Sequence, residues 1–175
     1  MRLSGPRPIV LVGLPGAGKT TAAERAAASL GAPWQDLDAV IALGAGKSVA
    51  MLFADHGEAH FRVLERSAMD VALTQPLVIA AGGGWASEPG NIEAAELTAL
   101  IIYMSLPPEI AALRLTGTTD RPLLTDAPLE TRLTELLAAR EARYRLAGVE
   151  IAVGELSPER AAMAVVSAAR LYGGW

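Results

Sequence analysis

Cysteine is missing from the 175-residue chain altogether, so disulfides and thiolate metal sites are excluded, and a reducing compartment is compatible with the composition. Basic residues are outnumbered: 15 Lys and Arg stand against 19 Asp and Glu, a formal charge of -4. A protein that tracks DNA or RNA would carry a basic face, so no nucleic-acid partner is expected. No apolar run approaches the roughly 18 residues that span a bilayer. The apolar stretch after Arg2 and Arg7 leads straight into a glycine-rich loop rather than a cleavage site, so no signal peptide and no membrane contact are expected either. A cytoplasmic location is the default. Histidine occurs only as His56 and His60. Their i, i+4 spacing can hold zinc, but the intervening Gly57-Glu58-Ala59 lacks the His-Glu order of zinc hydrolases, and the start of a solvated helix explains them better.

What the chain has is apolar bulk, 51% hydrophobic against 19% charged, enough for one folded domain over residues 1–175. Its organising stretch is Ile9 to Thr21. Four apolar residues, Ile9 to Val12, make a buried strand. Gly13-Leu14-Pro15-Gly16-Ala17-Gly18-Lys19-Thr20 then fits the phosphate-loop pattern, and helix formers follow to Leu30. Glycines without Cβ let backbone N–H groups approach phosphate oxygens, and the helix start adds its positive dipole end. Gly16, Ala17, Gly18, Lys19, Thr20 and Thr21 are therefore the candidates for binding a nucleoside triphosphate. Lys19, expected to face solvent in the empty protein, can reach the β/γ-phosphates; the Thr20 hydroxyl can ligate Mg²⁺. A second glycine-rich piece, Gly44-Ala45-Gly46-Lys47-Ser48, imitates the end of this motif, but position 41 is Ile and no strand leads into it.

Periodicity predicts strands ending near Asp36, at Leu77–Ala81, Leu97–Leu106 and Val149–Val153. Helices are predicted over Asp38–Leu43, Ser48–Ala54, Glu58–Leu73 (with Phe61, Leu64, Ala68 and Val71 or Ala72 on one face), after Pro107-Pro108, over Pro128–Leu146, and from the Ser157 cap to Tyr172. The alternation gives an α/β fold with a mostly parallel sheet of about five strands, whose carboxyl ends hold ligands. Three groups would fall there. Asp36 and Asp38 close a strand; one can face a metal and the other an acceptor, or Asp38 merely caps a helix while Asp36 is solvated. Gly82-Gly83-Gly84 suits an oxyanion approached by backbone, or a tight turn. Arg62, Arg121 and Arg140 can grip carboxylate or phosphate, or form surface ion pairs. Thr116 to Ala127 is polar, with the composition of a mobile loop.

Taken in order, these motifs resemble the shikimate kinase family: Gly18-Lys19-Thr20-Thr21, Trp34-Gln35-Asp36-Leu37-Asp38, Gly57-Glu58-Ala59-His60-Phe61-Arg62-Val63-Leu64-Glu65, Gly82-Gly83-Gly84, Arg121-Pro122-Leu123-Leu124 and Arg140-Glu141-Ala142-Arg143-Tyr144. The resemblance implies a P-loop, nucleoside-monophosphate-kinase-like three-layer fold with a five-stranded parallel sheet and a mobile lid at about 116–127. It implies transfer of the ATP γ-phosphoryl group to the 3-hydroxyl of shikimate, in the route to chorismate and aromatic amino acids. By the same match, Thr20 holds Mg²⁺ with Asp36 in support, and Asp38 meets the shikimate hydroxyls as candidate base. Arg62 and Arg140 clamp the shikimate carboxylate beside the Gly83 and Gly84 backbone. Arg121 reaches the phosphates from the lid, and Arg114 lies against the adenine.

Three positions depart from the family's usual pattern. Ala42 stands where Glu is common, Lys47 where Arg is frequent, and Trp85 where smaller residues follow the glycines. Two other functions share part of the pattern. A kinase for another hydroxy acid, gluconate being the nearest, would need the same architecture. A non-catalytic ATP-binding domain would need the P-loop but neither the Asp pair nor the arginines. ATP and one small acid are the expected partners, and a chain of this length is expected to act as a monomer.

Overall fold

A computed structural model describes residues 5–116 and 128–175. Five strands form one parallel sheet: β1 (Ile9–Val12), β2 (Trp34–Asp36), β3 (Val78–Ala80), β4 (Leu100–Ser105) and β5 (Val149–Ala152), in the order β2-β3-β1-β4-β5. The helices among the described residues are α1 (Lys19–Leu30), α2 (Leu37–Ala45), α3 (Val49–Ala72), α4 (Asn91–Glu96), α5 (Pro108–Leu115), α6 (Leu129–Tyr144) and α7 (Pro158–Tyr172). Because strand side chains alternate, β1 feeds two cores. Ile9 and Leu11 pack with Ala22, Ala23, Ala26 and Ala27 of α1 and with Val165 and Ala169 of α7. Val10 and Val12 pack with Leu37, Phe61, Met69 and Tyr144 on the other face. The alanines matter: small side chains let α1 lie close against α7 and the sheet. The result is the three-layer α/β fold expected. Among the described residues no single helix is long and apolar enough to cross a membrane.

Topology fixes where a ligand goes. From β1 the chain leaves toward β2 on one side, and from β3 toward β4 on the other. The switch point therefore lies between β1 and β3, whose carboxyl ends carry Gly13–Gly18 and Gly82–Gly84.

Several local expectations are corrected. The helices expected over 48–54 and 58–73 form one element, α3, kinked at Gly57 (φ 78°, ψ 172°), a conformation that only glycine adopts cheaply. Residues 97–99 precede β4 rather than belonging to it; a 3₁₀ turn (Trp85–Ser87) and the short α4 fill the run before them. The buried stripe of α3 is Phe61, Glu65, Met69 and Ala72, with Val71 exposed. Leu64 and Ala68 of the expected stripe are only half-buried, and a charged residue, Glu65, lies inside. Gly46 ends α2 and Ser48 caps α3 through Met51 N, so the second glycine-rich piece is a helix-to-helix turn.

Candidate active site

The phosphate loop is built by packing as much as by glycine. Leu14 and Ala17 are buried and hold the loop to the core. Gly13 lies at φ 143°, and a Cβ there would come within 2.5 Å of the Met104 carbonyl oxygen, so no other residue fits. Gly16 and Gly18 take φ 85° and 82°, which turns the backbone into the start of α1. Lys19 does not face solvent as expected. It is half-buried, and Nζ donates to the carbonyls of Gly13 and Leu14, both at 2.9 Å. An ammonium partly out of water needs acceptors, and these two carbonyls supply them.

Asp36, not Asp38, caps α2: its Oδ1 accepts from the backbone N–H of Asp38 and Ala39. Its Oδ2 accepts from the Thr20 hydroxyl at 2.6 Å, which ties the strand end to the P-loop helix. Asp38, in the first turn of α2, points elsewhere. A Cβ on Gly82 would lie 2.7 Å from Asp38 Oδ1 and 2.6 Å from Glu65 Oε1, so both carboxylates crowd that glycine from α2 and α3. Thr20 and Asp36 thus form a pair of oxygen donors at the loop's mouth. Oxygen-only donors beside a phosphate site suit a hard cation, so Mg²⁺ fits the residues present.

Gly16, Gly18, Lys19, Thr20, Thr21, Asp36, Asp38, Gly83 and Arg114 line one cleft. Arg114 donates to the carbonyls of Gly16, Val153 and Gly154, bridging the P-loop to the turn after β5. Arg62 and Arg140 do not line that cleft but stand against its glycine wall. Arg140 Nη1 lies 3.1 Å from where a Cβ on Gly83 would be, and the Arg62 guanidinium fills the space that a Cβ on Gly84 would need. Two residues 78 positions apart in sequence (140 less 62) are thereby brought to neighbouring glycines. Ala42, Lys47 and Trp85, the three departures, do not line the cleft; Trp85 is buried and Lys47 pairs with Asp55. Arg121 and the expected lid, apart from Thr116, lie outside the described residues.

Glu65 is the residue that sequence reasoning passed over. It is 1% exposed, and it pairs with the Arg62 guanidinium, which also meets Glu58 at 2.6 Å. Burial raises the Glu65 pKa above the ordinary carboxylate value; Arg62 opposes that, Asp38 adds to it and Arg140 opposes it. For Arg62, burial works against the charge, but the bonds and charges of Glu65 and Glu58 outweigh it and hold the pKa above its ordinary value. Arg62 is thus oriented before any ligand arrives, with further N–H donors to spare. The available signal was periodicity: Phe61, Glu65, Met69 and Ala72 lie on one helix face, and an acid in an apolar stripe needs a partner. Tyr144, quoted in a motif but given no role, is also buried, and its hydroxyl donates to the Gly83 carbonyl at 3.0 Å. The His56 and His60 rings meet at 4.8 Å with a tilt of 45°, and no cluster of three or more potential metal ligands occurs among the described residues.

The model of a family described as "Shikimate kinase" matches residues 15–170. A shikimate kinase from Caldanaerobacter subterraneus subsp. tengcongensis is 38% identical over 161 residues, 91% of this chain and 94% of its own. One from Zymomonas mobilis is 34% identical over 164 residues, 93% of each. Among solved structures, a shikimate kinase from Acinetobacter baumannii in complex with shikimate superposes with a TM-score of 0.89, at 30% identity over 94% of this chain and 93% of its own. A gluconokinase from Sinorhizobium meliloti reaches 0.58 at 18% identity over 98% and 95%, a likeness of fold alone.

Proposed function

This chain belongs to the shikimate kinase family, and from that premise we propose how its residues divide the work of ATP-dependent phosphorylation of shikimate. The γ-phosphoryl group of ATP passes to the 3-hydroxyl of shikimate, giving shikimate 3-phosphate and ADP. Gly16 to Thr21 cradle the phosphates through backbone N–H groups and the α1 dipole. Lys19, which donates to two neutral carbonyls, exchanges them for the β/γ-phosphates without stranding a charge on the loop. Thr20 and Asp36 would hold Mg²⁺, which would supply neutralisation of charge on the phosphate oxygens. Arg114 lies at the nucleotide end, and Arg121, by its motif alone, reaches the phosphates. Asp38 accepts a hydrogen bond from the 3-hydroxyl and takes its proton as that oxygen bonds to the γ-phosphorus and the bond to ADP breaks.

At the other end Arg62 and Arg140 grip the carboxylate of shikimate, beside the Gly83 and Gly84 backbone. One observation carries this reading: the two guanidiniums stand at adjacent glycines, across the cleft's glycine wall from the phosphate loop. The experiment is a coupled ADP-release assay with shikimate, gluconate and quinate. Shikimate is expected to be preferred by at least tenfold in kcat/KM, and a preference for gluconate would place the carboxylate grip elsewhere.

A further inference from the structure

Tyr144 ends α6, four residues after Arg140, so both project from the same helix face. It is fully buried, and its ring meets that of Tyr103, a residue of the inner strand β4, at 5.3 Å with a tilt of 35°. Packing alone would be served by phenylalanine. The hydroxyl donates to the Gly83 carbonyl at 3.0 Å, inside a run of three glycines, and also meets the Arg140 guanidinium. Such a run has no side chains to restrain its dihedrals, and its peptide planes turn easily. A peptide unit is rigid, however, and the Gly83 C=O and the Gly84 N–H share one plane and point in opposite directions. Holding the oxygen toward Tyr144 aims the Gly84 N–H away from it. Gly83 also has little room: a Cβ there would lie 3.4 Å from the Tyr144 hydroxyl and 3.1 Å from Arg140 Nη1.

We propose that Tyr144 is a positioning residue for the acceptor site: anchored on β4, its hydroxyl locks the Gly83–Gly84 peptide so that the Gly84 N–H and the Arg140 guanidinium keep a fixed relation to each other. Without that bond the peptide turns over and presents a carbonyl where an anion needs a donor. Burial raises the Tyr144 pKa, with Arg140 opposing, so the phenol stays protonated and able to donate. The inference rests on the reading of Arg140 as part of the carboxylate grip. Tyr144→Phe keeps the ring and removes the bond. It is expected to raise KM for shikimate by about tenfold, leave KM for ATP within about twofold, and lower Tm by only a few degrees. In an Arg140→Ala background the same change should raise the shikimate KM much less, because the two groups serve one anion. If Tyr144→Phe leaves the shikimate KM within twofold, or raises both KM values alike, Tyr144 is only a core residue and the proposal is overturned. If Arg140→Ala itself leaves the shikimate KM unchanged, the carboxylate grip falls and this inference with it. A large effect of Arg140→Ala with none from Tyr144→Phe overturns the inference alone.

Discussion

The two halves of the cleft hold their cations in different ways. In the phosphate half, Lys19 rests on the carbonyls of Gly13 and Leu14, neutral groups from its own loop. In the acceptor half, Arg62 is pinned by two carboxylates of its own helix, one of them fully buried. The two loop carbonyls are neutral, so a cation that leaves them strands no charge on the loop. A guanidinium between Glu58 and Glu65 cannot leave, and its value is a fixed direction. The lesson is that the loop itself holds Lys19 only through neutral oxygens, while Arg62, which must fix an acid's pose, is held by charge.

That contrast is breakable. Arg62→Ala should show the largest effect, because it removes the grip and leaves Glu65 buried without its counter-charge. It should cost about 3–5 kcal/mol of stability, measured by denaturant unfolding. It should also lower kcat/KM for shikimate on the order of 30- to 4,000-fold, from roughly 2–5 kcal/mol lost at a desolvated charged contact. Arg62→Lys should recover part of the stability and less of the activity, since an ammonium cannot span both carboxylate oxygens. An Arg62→Ala protein as stable as wild type would mean that Glu65 does not depend on it.

Lys19→Ala comes next and tests the other side. Turnover should fall on the order of 10²- to 10³-fold, with ATP affinity changing much less and Tm within a few degrees, because the freed carbonyls lie near an open cleft. A stability loss as large as that of Arg62→Ala would erase the distinction between the two cations.

Glu65→Gln sharpens the comparison with the smallest effect. The folded-state pKa of Glu65 is raised, chiefly by burial. The stability contributed by its protonated form is therefore fully present below the ordinary carboxylate range, and it is lost as pH rises through the elevated value. Glutamine does not titrate. The difference in unfolding free energy between variant and wild type should shift in the variant's favour as pH increases from about 4.5. Parallel curves would show that Glu65 titrates like an exposed acid.

The phosphate half was legible because its chemistry is contiguous. Gly13, Gly18, Lys19 and Thr20 act through backbone direction and a helix start, and both are local. The acceptor half was legible only as separate pieces, Asp38, Arg62, Gly83, Gly84 and Arg140, each with an ordinary surface explanation. Bringing them together required α3 and α6 to pack on one face of the sheet. Errors followed the same division. The alternative in which Asp38 caps a helix and Asp36 is solvated fails because Asp36 is the cap, and that turns on where the strand ends, which depends on pairing with β3. The short α4 was missed because its six residues are too few to show a period.

By itself the sequence determined the alternation of strands and helices, the phosphate loop and the residue types offered at each strand end, since periodicity, glycine spacing and capping are local properties of the chain. Only the tertiary structure decided which partners those residues have. Lys19 turned back onto the loop, Glu65 came inside to meet Arg62, and the Tyr144 hydroxyl found Gly83 across 61 residues. The physical reason is that burial sets what a polar group must bond, and burial is decided by how distant elements pack, which no local pattern encodes.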